Sequence, residues 1–124
     1  MKNFRDIQIW NRSHGLTLEI YRLTQSFPKT ETYGLVSQMR RSSSSIPTNI
    51  AEGCGRNTEK DFARFLDNAM GSAFELEYQL ILAHDLQYIP QDTYEKTNTE
   101  LVEIKRMLNA FIQKLRNYPL PANR

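Results

Sequence analysis

Apolar residues recur along most of this chain at steps of three and four, the spacing that puts them on one face of a helix of ~3.6 residues per turn. The clearest stretch is Leu35, Met39, Ser42, Ile46, Ile50 and Gly53. Downstream, Phe62, Leu66, Ala69, Ala73, Leu76, Leu80 and Ala83 alternate steps of four and three without a break, which is heptad spacing. Tyr94, Leu101, Ile104, Leu108, Phe111 and Leu115 supply a further stripe. The first segment is less decided: Trp10, His14, Thr17, Tyr21 and Thr24 make a face broken by polar groups, with Leu16, Leu18, Ile20 and Leu23 around it. On that face His14 reads as a hydrogen-bonded interior residue.

Start and stop signals bracket the stripes. Asp6 reads as the N-cap of the first helix and Phe27-Pro28 as its end; Thr58, with Asp61 three residues on, caps the third; Asp92 or Thr93 caps the fourth; Pro119 and Pro121 forbid its continuation. The pattern predicts helices over about residues 6–26, 33–53, 58–86 and 92–117 and a tail over 118–124, all within one domain spanning 1–124. Four long helices joined by short loops make an all-α, up-down-up-down antiparallel four-helix bundle.

The second helix carries two local conflicts. Pro47 falls inside its stripe, where it removes a backbone donor and crowds the carbonyl four residues back at about 3 kcal/mol, so the expectation is one kinked helix. Ser42 to Ser45 are small enough for close helix approach, and their hydroxyls are expected to satisfy carbonyls freed by the kink. Gly53 or Gly55 is expected to end the helix in the left-handed conformation.

The third helix shows an apolar arc wider than one seam requires. Phe65, Leu76 and Ala83 mark one edge and Ala63, Phe74 and Ile81 the other, about half the cylinder, whereas a core-facing stripe needs about 100°. The excess points to a second copy of the chain. Gly71 interrupts this helix at about 1 kcal/mol relative to alanine, which suggests a close contact or a functional need. Glu77 sits inside the arc and is expected to be partly buried and paired with Arg40 or Arg41, because a lone desolvated carboxylate is costly.

Composition narrows the function classes. The lone cysteine, Cys54, cannot close an internal disulfide and suits a reducing compartment; no basic-plus-apolar leader and no uncharged run of about 18 residues is present, so a cytoplasmic protein without a membrane span is expected. The net charge of +2 conceals an asymmetry. Residues 1–56 hold eight Lys/Arg against four acids, and the rest eight against ten, with no acid after Glu103. Basic charge therefore gathers in the first half and at the far end, which suits an anionic partner. The nucleic-acid candidates are Arg40, Arg41, Arg56, Lys105, Arg106, Lys114 and Arg116. Gly53-Cys54-Gly55-Arg56 reads as a helix stop and not a phosphate cradle, since Glu59 and Asp61 already occupy the positive end of the next helix.

Enzyme readings lack their parts. A di-iron bundle needs inward Glu-x-x-His pairs, and neither His14 nor His84 has a glutamate three residues before it. Cys54 has no metal-spaced companions, and no Walker or dinucleotide glycine pattern occurs, so neither metal, cofactor nor catalytic residue is expected.

Tyr33-Gly34-Leu35, Gln38-Met39-Arg40-Arg41, Ser45-Ile46-Pro47-Thr48-Asn49-Ile50-Ala51-Glu52-Gly53, Arg56, Ala69-Met70-Gly71-Ser72 and Glu75-Leu76-Glu77 form a specific string. It resembles the four-helix-bundle proteins encoded in bacterial 23S ribosomal RNA intervening sequences, and the likeness runs from Phe4 to Leu115. Phe27-Pro28 and Glu31 fit it too. The resemblance implies a ring-shaped homopentamer with no assigned enzymatic activity, and marks Asn49, Glu52, Gly53, Gly71 and Glu77 as structural or intersubunit positions. A related branch, the accessory variability determinant of diversity-generating retroelements, implies binding of RNA or DNA and of a protein partner such as a reverse transcriptase. Two functions follow as expectations: a ring that binds structured RNA through symmetry-repeated cations, and a protein-interaction scaffold whose arginines serve intersubunit ion pairs.

Overall fold

The computed structural model describes residues 3–117, so the expected tail over 118–124 lies outside the described residues. Four α-helices follow one another: α1 Gln8–Thr24, α2 Leu35–Cys54, α3 Glu59–Asp85 and α4 Gln91–Asn117. No strand occurs among the described residues. Consecutive helices pack on one another and α4 returns to α1, which closes an all-α four-helix bundle.

The core is the set that helical periodicity selects. All six positions of the α2 stripe and all seven of the α3 stripe are buried. On α4, Leu101, Ile104 and Leu108 are buried and Tyr94, Phe111 and Leu115 half-buried; Ile112 joins the core as well. Packing settles the orientation of the first helix, which its pattern left undecided. Its buried residues are Ile9, Ser13, Leu16, Thr17, Ile20 and Thr24, while His14 and Tyr21 are exposed. His14 is thus no interior residue; it stacks on Trp10 with centroids 5.0 Å apart. Ile9, Leu16 and Ile20 bury more apolar surface than a ring and an imidazole whose polar edges want water, and that difference sets the rotation of α1.

Helix ends depart from expectation in three places. Asp6 does not cap α1, because Phe4–Asp6 forms its own 3₁₀ turn, capped by the Asn3 side chain on the Arg5 amide at 3.0 Å, and extended Ile7 then opens the helix. Pro90 accepts from the Tyr94 amide at 2.9 Å, so α4 begins at Gln91, ahead of the expected caps Asp92 and Thr93. No described glycine is left-handed: Gly55 closes α2 in right-handed geometry, with Gly55 and Arg56 amides donating to Glu52 and Gly53 carbonyls. The left-handed position is Gln87 (φ 66), after α3. There Tyr88 N–H donates to Ala83 and Gln87 N–H to His84, both at 2.9 Å, the two reverse bonds that close a helix when the residue beyond its cap is left-handed. Thr58 caps α3 through the Asp61 amide at 3.1 Å.

Pro47 lies inside α2 without dividing it, and a kink there is not confirmed. The carbonyl that loses its donor is that of Ser43, four residues back. The expected serine hydroxyls do not serve it: Ser43 and Ser44 donate to carbonyls three residues behind them, and Ser42 donates to Gln79 Oε1 of α3 at 2.6 Å. Thr17 of α1 does, its buried hydroxyl lying 2.9 Å from the Ser43 carbonyl oxygen. Proline in α2 and threonine in α1 thereby become one joint.

Glu31 joins three segments. One carboxylate oxygen accepts from the Leu35 amide at 3.1 Å, capping α2, and the other from the Tyr88 hydroxyl at 2.9 Å, in the loop between α3 and α4. The bond to Glu31, then burial, holds Tyr88 above the usual phenol value of 10.0. A raised folded value means that this contribution is complete below 10.0 and fades as pH climbs through it. In an ultraviolet titration Tyr88→Phe should remove a component that ionises above 10.0, and with it that part of the alkaline loss of stability.

Candidate nucleic-acid interface

The seven cations singled out by sequence go to separate places, and most meet partners. Arg40 is half-buried over the Tyr21 ring (4.6 Å) and donates to the Thr24 hydroxyl (2.9 Å) and the Tyr21 carbonyl (3.1 Å), so it braces α2 on α1. Arg41 bridges to Glu75 of α3 at 3.0 Å. Lys105 meets Glu77 at 2.6 Å and lies 4.3 Å from the Phe74 ring centroid. Glu77 is therefore half-buried and paired, as its position in the apolar arc requires, but by Lys105; Arg40 and Arg41 are held elsewhere by Tyr21 and Glu75. Arg106 binds Glu103 one turn away, which holds that carboxyl below the usual carboxylate range. Arg116 binds Asp67 through both terminal guanidinium nitrogens. Lys114 is exposed, without an ion pair among the described residues.

One end of the bundle does gather cations. Arg56, in the turn after α2, and Arg64, on α3, both lie over the half-buried Phe65 ring, at 4.8 and 4.7 Å from its centroid. Arg56 also donates to the Glu52 carbonyl at 3.3 Å. Exposed Lys60 stands one helical turn before Arg64, and the Arg116–Asp67 contact brings the end of α4 to the same region. Lys60 and Arg64 were not legible as site residues; the signal was their spacing of four on the solvent side of the Phe62 and Leu66 seam. The acids here are Glu52, Glu59, Asp61 and Asp67, two of them engaged by Arg64 at 3.6 Å and by Arg116. Exposed ion pairs of this kind contribute about 0–1 kcal/mol, so a phosphate can replace the carboxylate at little cost.

Asn49 and Glu52 do different work. Asn49 donates to the Ser45 carbonyl and hydroxyl, and Ser72 of α3 donates to that same hydroxyl at 2.8 Å, a polar seam between α2 and α3. The Glu52 side chain is exposed. Gly53 is a contact position: a β-carbon there would lie 2.7 Å from Phe62 Cδ1 and 3.1 Å from Phe65 Cβ. Gly71 is not, since a β-carbon there meets nothing within 4 Å. It instead heads an uncovered face of α3, followed by Phe74 (57% exposed), Tyr78 (62%) and Ile81 (40%). Val102 of α4 is exposed as well.

The model of the family described as 23S rRNA-intervening sequence protein matches residues 5–110. The chain belongs to that family. Among solved structures, this 23S rRNA-intervening sequence protein is similar to a protein with unknown function from the S23 ribosomal protein family of Bacteroides thetaiotaomicron VPI-5482, with 28% identity and a TM-score of 0.77 over 85% of this chain and 98% of that one. No curated protein matches. Among the described residues, no helix is long and apolar enough to cross a membrane and no cluster of His, Cys, Asp or Glu could hold a metal ion.

Proposed function

We propose that this 23S rRNA-intervening sequence protein is a non-enzymatic accessory protein of the cytoplasm that binds structured RNA, as a ring whose symmetry repeats one small cationic end. The observation that carries the reading is the pair Arg56 and Arg64 on Phe65, flanked by Lys60 and by Arg116 of α4. Two guanidiniums held against one ring lose less side-chain freedom on meeting phosphate than free ones do. One copy offers a handful of contacts, and symmetry multiplies them without new chemistry. The uncovered face from Gly71 to Ile81 supports assembly, because three large apolar side chains on one helix face ask for cover. Five copies is the number that the family resemblance implies.

Arg56→Glu with Arg64→Glu should weaken binding of a structured RNA hairpin by about tenfold or more in fluorescence anisotropy and flatten the dependence of log affinity on log salt. Arg40→Glu, which alters a brace far from that end, should leave the salt slope unchanged. Absence of binding at low salt would overturn the reading. The mass by light scattering tests the ring, and a value near 14.5 kDa at micromolar concentration would exclude it.

The second reading is a protein-interaction scaffold without a nucleic-acid role, its partner a protein such as a reverse transcriptase. It is favoured by the engagement of Arg41, Lys105, Arg106 and Arg116 with carboxylates of the same chain. A ring of the multimeric mass that ignores RNA at low salt would select it.

A further inference from the structure

Two apolar surfaces of the bundle lie uncovered, a groove and a ridge. The groove, of about 560 Å³, runs between α1 and α2: Trp10, His14, Leu18 and Tyr21 follow one face of α1, and Pro47 and Ala51 of α2 line the opposite wall. The ridge is the face of α3 from Gly71 to Ile81, where Phe74 and Tyr78 stand more than half exposed. Five of the eight large apolar side chains exposed among the described residues, Leu18, Tyr21, Phe74, Tyr78 and Ile81, fall on these two surfaces. Such a concentration marks an interface.

We propose that the α3 ridge of one copy seats in the α1–α2 groove of the next, head to tail. The inference rests on the ring reading above and names the surfaces that build it. Helices pack in the cyclic order α1, α2, α3, α4, and the ridge stands beside α4, where Lys105 lies over the Phe74 ring, so ridge and groove are on opposite sides of the bundle. No chain can fill its own groove. Two copies cannot exchange these surfaces reciprocally either, and a two-fold pair would cover one kind and leave the other open, so the contact passes from copy to copy.

The two surfaces match in length, direction and polarity. Gly71 to Ile81 spans about 15 Å along the helix axis and Trp10 to Tyr21 about 16 Å. Rotation about an axis along the bundle leaves α1 and α3 of every copy pointing the same way, so the ridge enters the groove parallel to α1. Charge selects the same direction. Asp85 continues the ridge one turn beyond Ile81, and Glu52 lies at the Trp10 end of the groove, without an ion pair among the described residues. Antiparallel entry would set one exposed carboxylate against the other, whereas parallel entry keeps them at opposite ends. The Tyr78 hydroxyl on the ridge and the Trp10 indole N–H and Thr48 hydroxyl in the groove make no hydrogen bond among the described residues, so both sides keep polar groups for the partner.

Leu18→Asp spoils the groove, and Tyr78→Asp with Ile81→Asp spoils the ridge; all three positions are exposed, so circular dichroism should match that of the intact chain. By light scattering without RNA, each variant alone should fall from the multimeric mass to the 14.5 kDa of one chain, and an equal mixture of the two should form a pair of twice that mass and nothing larger. Chains that stay single alone and pair when mixed are the signature of a head-to-tail contact. Variants that keep the intact chain's mass, or a mixture that stays at 14.5 kDa, would overturn the pairing and leave the ring standing on other surfaces; an intact chain of 14.5 kDa would overturn both. Cross-linking tests the same contact with neither surface spoiled. Oxidation of a chain carrying Leu18→Cys and Tyr78→Cys should link copies into a ladder that neither substitution gives alone. A ladder from Tyr78→Cys alone would place ridge on ridge and overturn the proposal, as would a double variant that links no better than the intact chain.

Discussion

Thr17→Val is expected to lower the unfolding free energy by about 1–3 kcal/mol, although it removes only a hydroxyl and keeps the shape of the side chain. The hydroxyl serves the Ser43 carbonyl, whose natural donor is missing because residue 47 is proline. The Ser13 carbonyl, 3.0 Å from the same hydroxyl, stands in an unbroken part of α1 and does not need it. If this is the cause, Pro47→Ala returns an N–H to α2 and the loss on Thr17→Val shrinks in that background, a coupling of about 1 kcal/mol in a double-mutant cycle. Urea denaturation of the four variants measures it. Strict additivity would show that the two residues do not form a joint.

Gly53→Val should be about as damaging, at roughly 2–3 kcal/mol, and a glycine control separates the causes. A helix interior gains about 1 kcal/mol when glycine becomes alanine, and less for a β-branched side chain. Against that, overpacking costs about 1–3 kcal/mol, and at Gly53 the first added carbon already lies 2.7 Å from Phe62. Phe62 is buried and set edge-on to Phe111, so it cannot swing away without disturbing α4. Steric cost therefore wins for valine. Gly71→Ala should do the reverse and stabilise the isolated chain by about 1 kcal/mol, since nothing lies near its β-carbon position. The same change should weaken self-association if the face it heads is covered by another copy. Thermal melting combined with light scattering reads both effects, and equal melting shifts for the two glycines would refute the packing account.

The family string from Tyr33 to Glu77 and the periodic stripes of α2 and α3 made the fold legible before any coordinates, because burying apolar surface at 3.6-residue spacing leaves few alternatives to a bundle. The rotation of α1 was not legible. Its polar-broken face shares Thr17 and Thr24 with the buried one, and only the packing on α2 and α4 shows that Ile9, Ser13, Leu16 and Ile20 turn inward. The candidate site was legible in part: Arg56 and Arg116 stand at the cationic end, whereas Arg40, Arg41, Lys105 and Arg106 are held at other places.

Sequence alone thus determined the helices, the apolar seams of α2, α3 and α4, the antiparallel order and the need of Glu77 for a cation. Tertiary structure decided which cation meets Glu77, which hydroxyl replaces the donor missing at Pro47, which residue turns left-handed, and which glycine is a contact. The physical reason is range. Helical periodicity and capping act within about four residues, so they can be read along the chain, while an ion pair, a borrowed hydrogen bond or a steric gap depends on how two helices are rotated against each other, a quantity that no single stretch encodes.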